Sequence, residues 1–247
     1  MTDNKTLVFI TGGNSGIGLE TARQVLADAS THVLLGSRSL EKGQQAVEQL
    51  QSQQISGTVE VVQVDVSDEA SVSAAAKTVE SKYGRLDALV NNAGIAGGDG
   101  TTATQMTACL QTNAVGAYLM GEYFVPILKK SIGTPRIINV TSGAGSIGNR
   151  LDRSQATNAI KAIPYRVSKA AMNMVAACQW FELATEGFKV FIYGPGFTES
   201  NLSAMNKTAN GAKPTSEGVA PIIAMLKGER DSDDGKFIEY GVESFPW

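Results

Sequence analysis

Side chains that hold transition metals are scarce here: 247 residues contain one histidine and two cysteines. His32 stands alone, so a histidine-based metal site or a Ser-His triad has no material to be built from, and no metal is expected. Cys109 and Cys178 are too few for a disulfide framework and fall in helical-looking segments; they read as two buried free thiols in a reducing compartment. No charge of one sign dominates, since 21 Lys and Arg against 24 Asp and Glu give a net charge of −3. That balance supplies no electrostatic footprint for nucleic acid or an anionic membrane. Long apolar runs are missing too. The longest stretch, near Val175 to Phe181, is interrupted by Gln179 and cannot span a bilayer. The opening Met1-Thr-Asp-Asn-Lys5 passes directly into Leu7-Val-Phe-Ile10, with no hydrophobic segment ahead of a small-residue cleavage site. No secretory signal is expected, and the expected location is cytoplasmic.

What the chain does have is alternation. Short apolar or β-branched runs at 7–11, 32–36, 58–64, 86–91, 136–141, 189–193 and 236–239 read as strands. Helical patterns lie between them at 16–29, 40–54, 69–83, 104–130 and 165–186. Strand–helix alternation implies right-handed crossovers and an α/β fold: one Rossmann-type, doubly wound parallel sheet of about seven strands with helices on both faces. No repeat, low-complexity tract or linker divides residues 1–247, which are expected to form a single domain. Two polar segments break the rhythm, 143–164 and 197–214. Both follow the carboxyl ends of strands, the side on which open α/β sheets bind ligands, so they are expected to wall a substrate site.

Two motifs carry chemistry. In Thr11-Gly-Gly-Asn-Ser-Gly-Ile-Gly18, Gly12, Gly16 and Gly18 follow a strand and open a helix. Glycines there allow a tight turn and close backbone approach, while the helix N-terminus offers amides and partial positive charge to a pyrophosphate. A plain turn with a packing contact is the other reading. In Tyr165-Arg-Val-Ser-Lys169, the i,i+4 spacing puts phenol and ammonium on one helical face. There the ammonium can favour the tyrosinate and let a group with a reference pKa of about 10 exchange protons near neutrality. Alone, that spacing is weak.

Cofactor choice follows from the second strand. An NAD-preferring fold carries an acidic residue at that strand's end; here Leu35-Gly-Ser-Arg-Ser39 has no carboxylate before Glu41. Arg38 can pair with a 2′-phosphate in a fork geometry and Ser37 can donate to it, so NADPH/NADP+ is expected over NADH. Arg38 as a solvated loop charge stays open.

The glycine spacing, continued by Asp65-Val66, Asn91-Asn-Ala-Gly94, Asn113, Ser142, Tyr165/Lys169 and Pro195-Gly196 in that order, resembles the short-chain dehydrogenase/reductase family. The likeness covers essentially the whole chain. The long Ser142–Tyr165 interval and the ending Gly241-Val-Glu-Ser-Phe-Pro-Trp247 are most similar to the sniffer and carbonyl-reductase-like branch, including fungal enzymes. The resemblance implies that Gly12, Asn14, Ser15, Gly16, Ile17 and Gly18 cradle the cofactor. It places Asp65 and Val66 at its adenine and Asn92, Ala93 and Gly94 along its ribose end. Pro195, Gly196, Phe197, Thr198 and Ser200 are implied to fix its nicotinamide carboxamide. It makes Tyr165 the general acid, Lys169 its electrostatic and ribose-binding partner, and Ser142 the donor to the substrate oxygen. Asn113 is implied to bend its helix and anchor a water that relays protons to Lys169.

The implied reaction is NADPH-dependent hydride transfer to a ketone, aldehyde or quinone carbonyl, reversible with a secondary alcohol. Ile147, Leu151, Ile160, Phe197, Leu202 and Met205 offer apolar contact, while Arg150, Asp152, Arg153 and Lys161 read as solvent-facing. A neutral, moderately hydrophobic carbonyl compound is therefore the expected substrate. A dinucleotide-binding sensor or scaffold with vestigial activity is the alternative; such relatives usually lack one catalytic position, and all four stand here. Relatives pair the helices at 104–130 and 165–186, yet the long segment before Tyr165 is placed to obstruct that packing. A homodimer and a monomer both stay open.

Overall fold

The computed structural model describes residues 4–154 and 160–247. The part of the expected substrate wall at 155–159 lies outside the described residues. Seven strands form one sheet, all neighbours parallel, in the order β3-β2-β1-β4-β5-β6-β7. They are β1 Thr6–Ile10, β2 Thr31–Ser37, β3 Thr58–Gln63, β4 Ala88–Asn91, β5 Arg136–Val140, β6 Lys189–Gly194 and β7 Phe237–Glu239. Each lies within about two residues of its sequence expectation, because a parallel strand covered on both faces reads as a continuous apolar run. Every residue of β2 and β4 is buried. Alternation along β1 shares the core between the two faces. Leu7 and Phe9 join one cluster with Phe124 and Phe188, while Val8 and Ile10 join another with Phe191 and Ile222.

The helices are α1 Gly16–Val25, α2 Leu40–Ser52, α3 Glu69–Tyr83, α4 Thr102–Leu110, α5 Gly116–Leu128, α6 Ile147–Leu151, α7 Ile163–Leu183 and α8 Thr215–Leu226. Local chemistry sets their ends: Asp68 accepts from the Ala70 N–H to cap α3, and Gly84 closes it at φ 70°. Besides the short helix α6 inside the polar segment 143–164, the structure departs from the sequence reading in three main places. The expected helix over 104–130 is two helices joined by a π turn, Gln111–Val115, with Asn113 at its centre. Helix α8 is additional; Pro214, Gly218 and Pro221 disguise its apolar stripe of Val219, Ile222 and Met225. Cys178 is exposed although Cys109 is buried. It shares the outward side of α7 with Met174 and Phe181, which are 66% and 78% exposed.

β1 lies between β2 and β4, so the chain leaves it towards opposite edges of the sheet. Ligands of open α/β sheets sit in the crevice at such a switch point. Among the described residues, no helix is long and apolar enough to cross a membrane.

Candidate active site

A cleft of about 320 Å³ opens over the carboxyl ends of the strands. At one end the chain turns from β1 into α1 through Gly12 and Gly16, both at positive φ, 61° and 54°. A methyl group built on Gly18 would lie 2.5 Å from Asn92 Nδ2 and from the Gly12 carbonyl. Asn92 in turn donates from Nδ2 to the Thr11 carbonyl at 2.8 Å, and its N–H donates to Thr11 Oγ1 at 2.9 Å. The turn is thus tied to the end of β4. No side chain caps α1 and no acidic residue occupies its first turn, which leaves its leading amides directed at the cleft for an anion.

Gly12, Asn14, Ser15, Gly16, Ile17, Arg38, Asp65, Val66, Asn92, Ala93, Gly94, Tyr165, Lys169, Pro195 and Ser200 all line this cleft. Arg38 is 80% exposed, with Nε 4.0 Å from Asp65 Oδ2. The other Asp65 oxygen accepts from the Ser67 N–H at 3.0 Å and its hydroxyl at 2.6 Å. Some expected residues are not brought to the wall. Ser37 is buried and gives its hydroxyl hydrogen to the Ser39 carbonyl at 2.8 Å, so in this arrangement it has none for a phosphate. Thr198 is likewise buried and donates to the Pro195 carbonyl at 2.7 Å. Gly18 packs behind the turn, and Gly196 and Phe197 stand off the lining. His32 is accounted for structurally, its ring nitrogens 2.8 Å from Thr58 Oγ1 and 2.9 Å from Tyr83 Oη.

Tyr165 and Lys169 rise from the first turns of α7 at the other end. Lys169 is 3% exposed; its ammonium donates to the Val140 carbonyl at 2.9 Å and sits 5.8 Å from the Tyr165 ring centroid. Burial pushes the Tyr165 phenol up to about 12, while its hydrogen bond with Ser142 pulls the other way. Burial pushes Lys169 down to about 8. Ser142 follows β5; its Oγ accepts from the Ala144 N–H at 3.2 Å. Asn113 is fully buried. Its Nδ2 donates to the Ile95 carbonyl and to Ser168 Oγ, and its Oδ1 accepts from the Ile95 N–H, each at 2.8 Å. Both donors are engaged, so any water here would be held by acceptors.

Sequence reading passed over several contributors. Thr112, Val140 and Thr141 line the cleft, and Asn173 accepts from Thr141 Oγ1 at 2.5 Å. Asn173 stands four residues beyond Lys169, on the same face of α7, and that spacing was the available signal. The Thr141–Asn173 bond fastens the Ser142 strand end to the helix that carries Tyr165. Arg166 spans the segment before α7, donating to the Ile160 carbonyl at 3.0 Å and the Lys161 carbonyl at 3.2 Å. Ile147, Leu151, Ile160, Phe197 and Met205 are all exposed, as are Arg150, Asp152, Arg153 and Lys161; Leu202 lines the cleft. Among the described residues, no group of three or more His, Cys, Asp or Glu is placed to hold a metal ion.

A family model described as short chain dehydrogenase matches residues 6–211. The chain is 36% identical over 251 residues to the short-chain dehydrogenase anuI of Penicillium roqueforti, covering 96% of this chain and 98% of that one. It is 34% identical to the short-chain dehydrogenase/reductase tropE of Talaromyces stipitatus, covering 95% of each. Among solved structures, an NADPH-bound carbonyl reductase from chicken fatty liver superposes with a TM-score of 0.83 at 27% identity, over 99% of this chain and 100% of that one.

Proposed function

The chain belongs to the short-chain dehydrogenase family of oxidoreductases, and we propose that within it the protein is an NADPH-dependent carbonyl reductase with Tyr165 as the proton donor. The observation that carries this reading is the single cleft lined by the glycine turn, Arg38, Tyr165 and Lys169. The donor set suits a phosphorylated dinucleotide: uncapped amides of α1 for the pyrophosphate, Arg38 for a 2′-phosphate, and Asp65 and Val66 for the adenine. Lys169, Pro195 and Ser200 would hold its nicotinamide end. When bound, NADPH supplies the hydride that reduces the carbonyl carbon. The likeness to an NADPH-bound carbonyl reductase supports the same choice.

The chain's own part is to place and protonate the oxygen. Ser142 donates a hydrogen bond to it as negative charge develops. Tyr165 gives its proton to the same atom, and its phenol, held up near 12 by burial, is in the donor form at neutral pH. Lys169 stabilises the phenolate left behind. Asn113 clamps the Ile95 backbone beside Lys169 through its three hydrogen bonds and shapes the π turn. The exposed apolar side chains of the two segments favour a neutral, moderately hydrophobic ketone, aldehyde or quinone.

NADPH oxidation against a panel of such compounds tests the proposal, with Tyr165→Phe expected to abolish turnover and leave NADPH binding nearly intact. Wild-type-like turnover in that variant removes Tyr165 from the mechanism. NADPH binding without oxidation by any carbonyl compound favours a cofactor sensor instead. Preference for anionic compounds alone refutes the neutral substrate.

A further inference from the structure

A carboxyl group outside the four catalytic positions is packed against the back of this site. Glu239 ends β7 and pairs with Gly194 at the end of β6. Its side chain folds beneath the turn that follows Ser142, where a methyl group built on Gly143 would overlap Oε2. A methyl on Gly194 would lie 3.1 Å from that oxygen, and one on Gly196 would lie 3.8 Å from Oε1. Gly143 and Gly194 therefore make room for the carboxyl, and Gly143 directly follows Ser142.

Oε2 is shut off from solvent with no hydrogen-bond partner among the described residues that meets ordinary geometry. The Gly143 N–H is directed at the carboxyl and favours its ionised form, as does the Lys213 ammonium. Burial opposes both and is larger, so the carboxyl titrates above its ordinary value of 4.5. Lys213 itself donates to the Pro195 carbonyl at 3.2 Å and lies 4.4 Å from the Tyr240 ring centroid. The other ionisable groups that feel this charge are Tyr165 on α7 and Tyr193 on β6. Glu217, beyond Tyr240, acts on Lys213. A glutamine would fill the same space without the desolvation cost of a carboxylate. What glutamate adds there is charge.

We propose that Glu239 is a positioning residue for the reaction: its carboxylate, packed between Gly143 and the end of β6, wedges the Ser142 turn against the sheet and sets a negative charge behind the Ser142–Tyr165 pair. This rests on the reading of Tyr165 as proton donor. Glu239→Gln keeps the shape and removes the charge. The alkaline limb of kcat/KM for carbonyl reduction, set by loss of the Tyr165 proton, then moves to lower pH. The acid limb for alcohol oxidation moves the same way, because both report one phenol.

A second readout needs no turnover. Burying the Glu239 charge destabilises the fold only once the carboxyl is ionised. Melting temperature in Glu239→Gln therefore exceeds that of the wild type at alkaline pH, and the gain vanishes as the pH falls below 4.5. Should that variant fail to fold, Gly143→Ala drives a methyl group into the carboxyl and lowers the melting temperature, and adding Glu239→Ala restores it. Limbs that superimpose on the wild type overturn the proposal, whatever the melting temperature does. So does a Gly143→Ala loss that Glu239→Ala leaves in place. Full turnover in Tyr165→Phe removes instead the reading beneath it, and the Gly143–Glu239 contact can still be scored separately by melting.

Discussion

Arg38→Ala should take away most of the preference for NADPH without harming the use of NADH. The guanidinium lines the cleft on a flexible, largely exposed side chain, so its contact with a 2′-phosphate falls at the weak end of charge-assisted bonds, about 1.5 kcal/mol. Its loss also uncovers Asp65, whose Oδ2 lies 4.0 Å from Arg38 Nε. An unshielded carboxylate facing a phosphate in a wet cleft adds repulsion of about 1 kcal/mol. Together these terms come to about 2.5 kcal/mol, or roughly 50- to 100-fold in kcat/KM for NADPH. NADH has no 2′-phosphate and feels neither. The assay is kcat/KM for both cofactors in wild type and variant, repeated at high salt. Since exposed charges are screened as the Debye length falls from about 10 Å at 0.1 M to 3 Å at 1 M, wild-type discrimination should shrink with salt. Comparable values for the two cofactors in the wild type, or an unchanged ratio in Arg38→Ala, would refute the reasoning.

Asn113→Ala removes three hydrogen bonds around a fully buried side chain. At about 1 kcal/mol each, equilibrium denaturation should show a loss of about 3 kcal/mol; a loss below about 1 kcal/mol would mean that water or the π turn compensates fully. His32 titrates below its ordinary value of 6.5 chiefly because it is buried. With the folded pKa lowered, its neutral form stabilises the fold fully above 6.5, and that contribution is lost as pH falls towards the folded pKa. Melting temperature should therefore fall less steeply between pH 7 and pH 5 in His32→Gln than in the wild type, and parallel curves would contradict this.

The strands were legible because each is an apolar run closed by a turn, and the parallel sheet followed from the alternation with helices, although the strand order did not. Helix α8 was not legible, since Pro214, Gly218 and Pro221 are breakers by local propensity and only packing of Val219, Ile222 and Met225 on the sheet overrides them. Cleft residues fixed by strand ends, such as Asp65 and Asn92, could be placed by motif. Hydroxyl directions could not: Ser37 and Thr198 sit at the right positions in the chain, yet both give their hydrogens to nearby carbonyls. Nor could Cys178 be assigned a face, because α7 is apolar on more than one side. Glu239 carries no signal in sequence at all. Its contact with Gly143 is made across the sheet, between segments that only the fold brings together.

Tyr165 and Lys169 show why spacing alone misjudges electrostatics. Four residues apart, they suggest an ammonium that draws the proton off a phenol. In the folded chain the ammonium bonds the Val140 carbonyl and sits 5.8 Å from the ring centroid. Burial then dominates both groups and moves them in opposite directions, the phenol up to about 12 and the lysine down to about 8. The Glu239 charge pushes the phenol the same way as burial. At neutral pH the pair accordingly rests as a protonated phenol beside a still-charged lysine. On the proposed function this is the state that would give a proton to a forming alkoxide, and an alcohol arriving in the same cleft would first have to wait for that proton to leave.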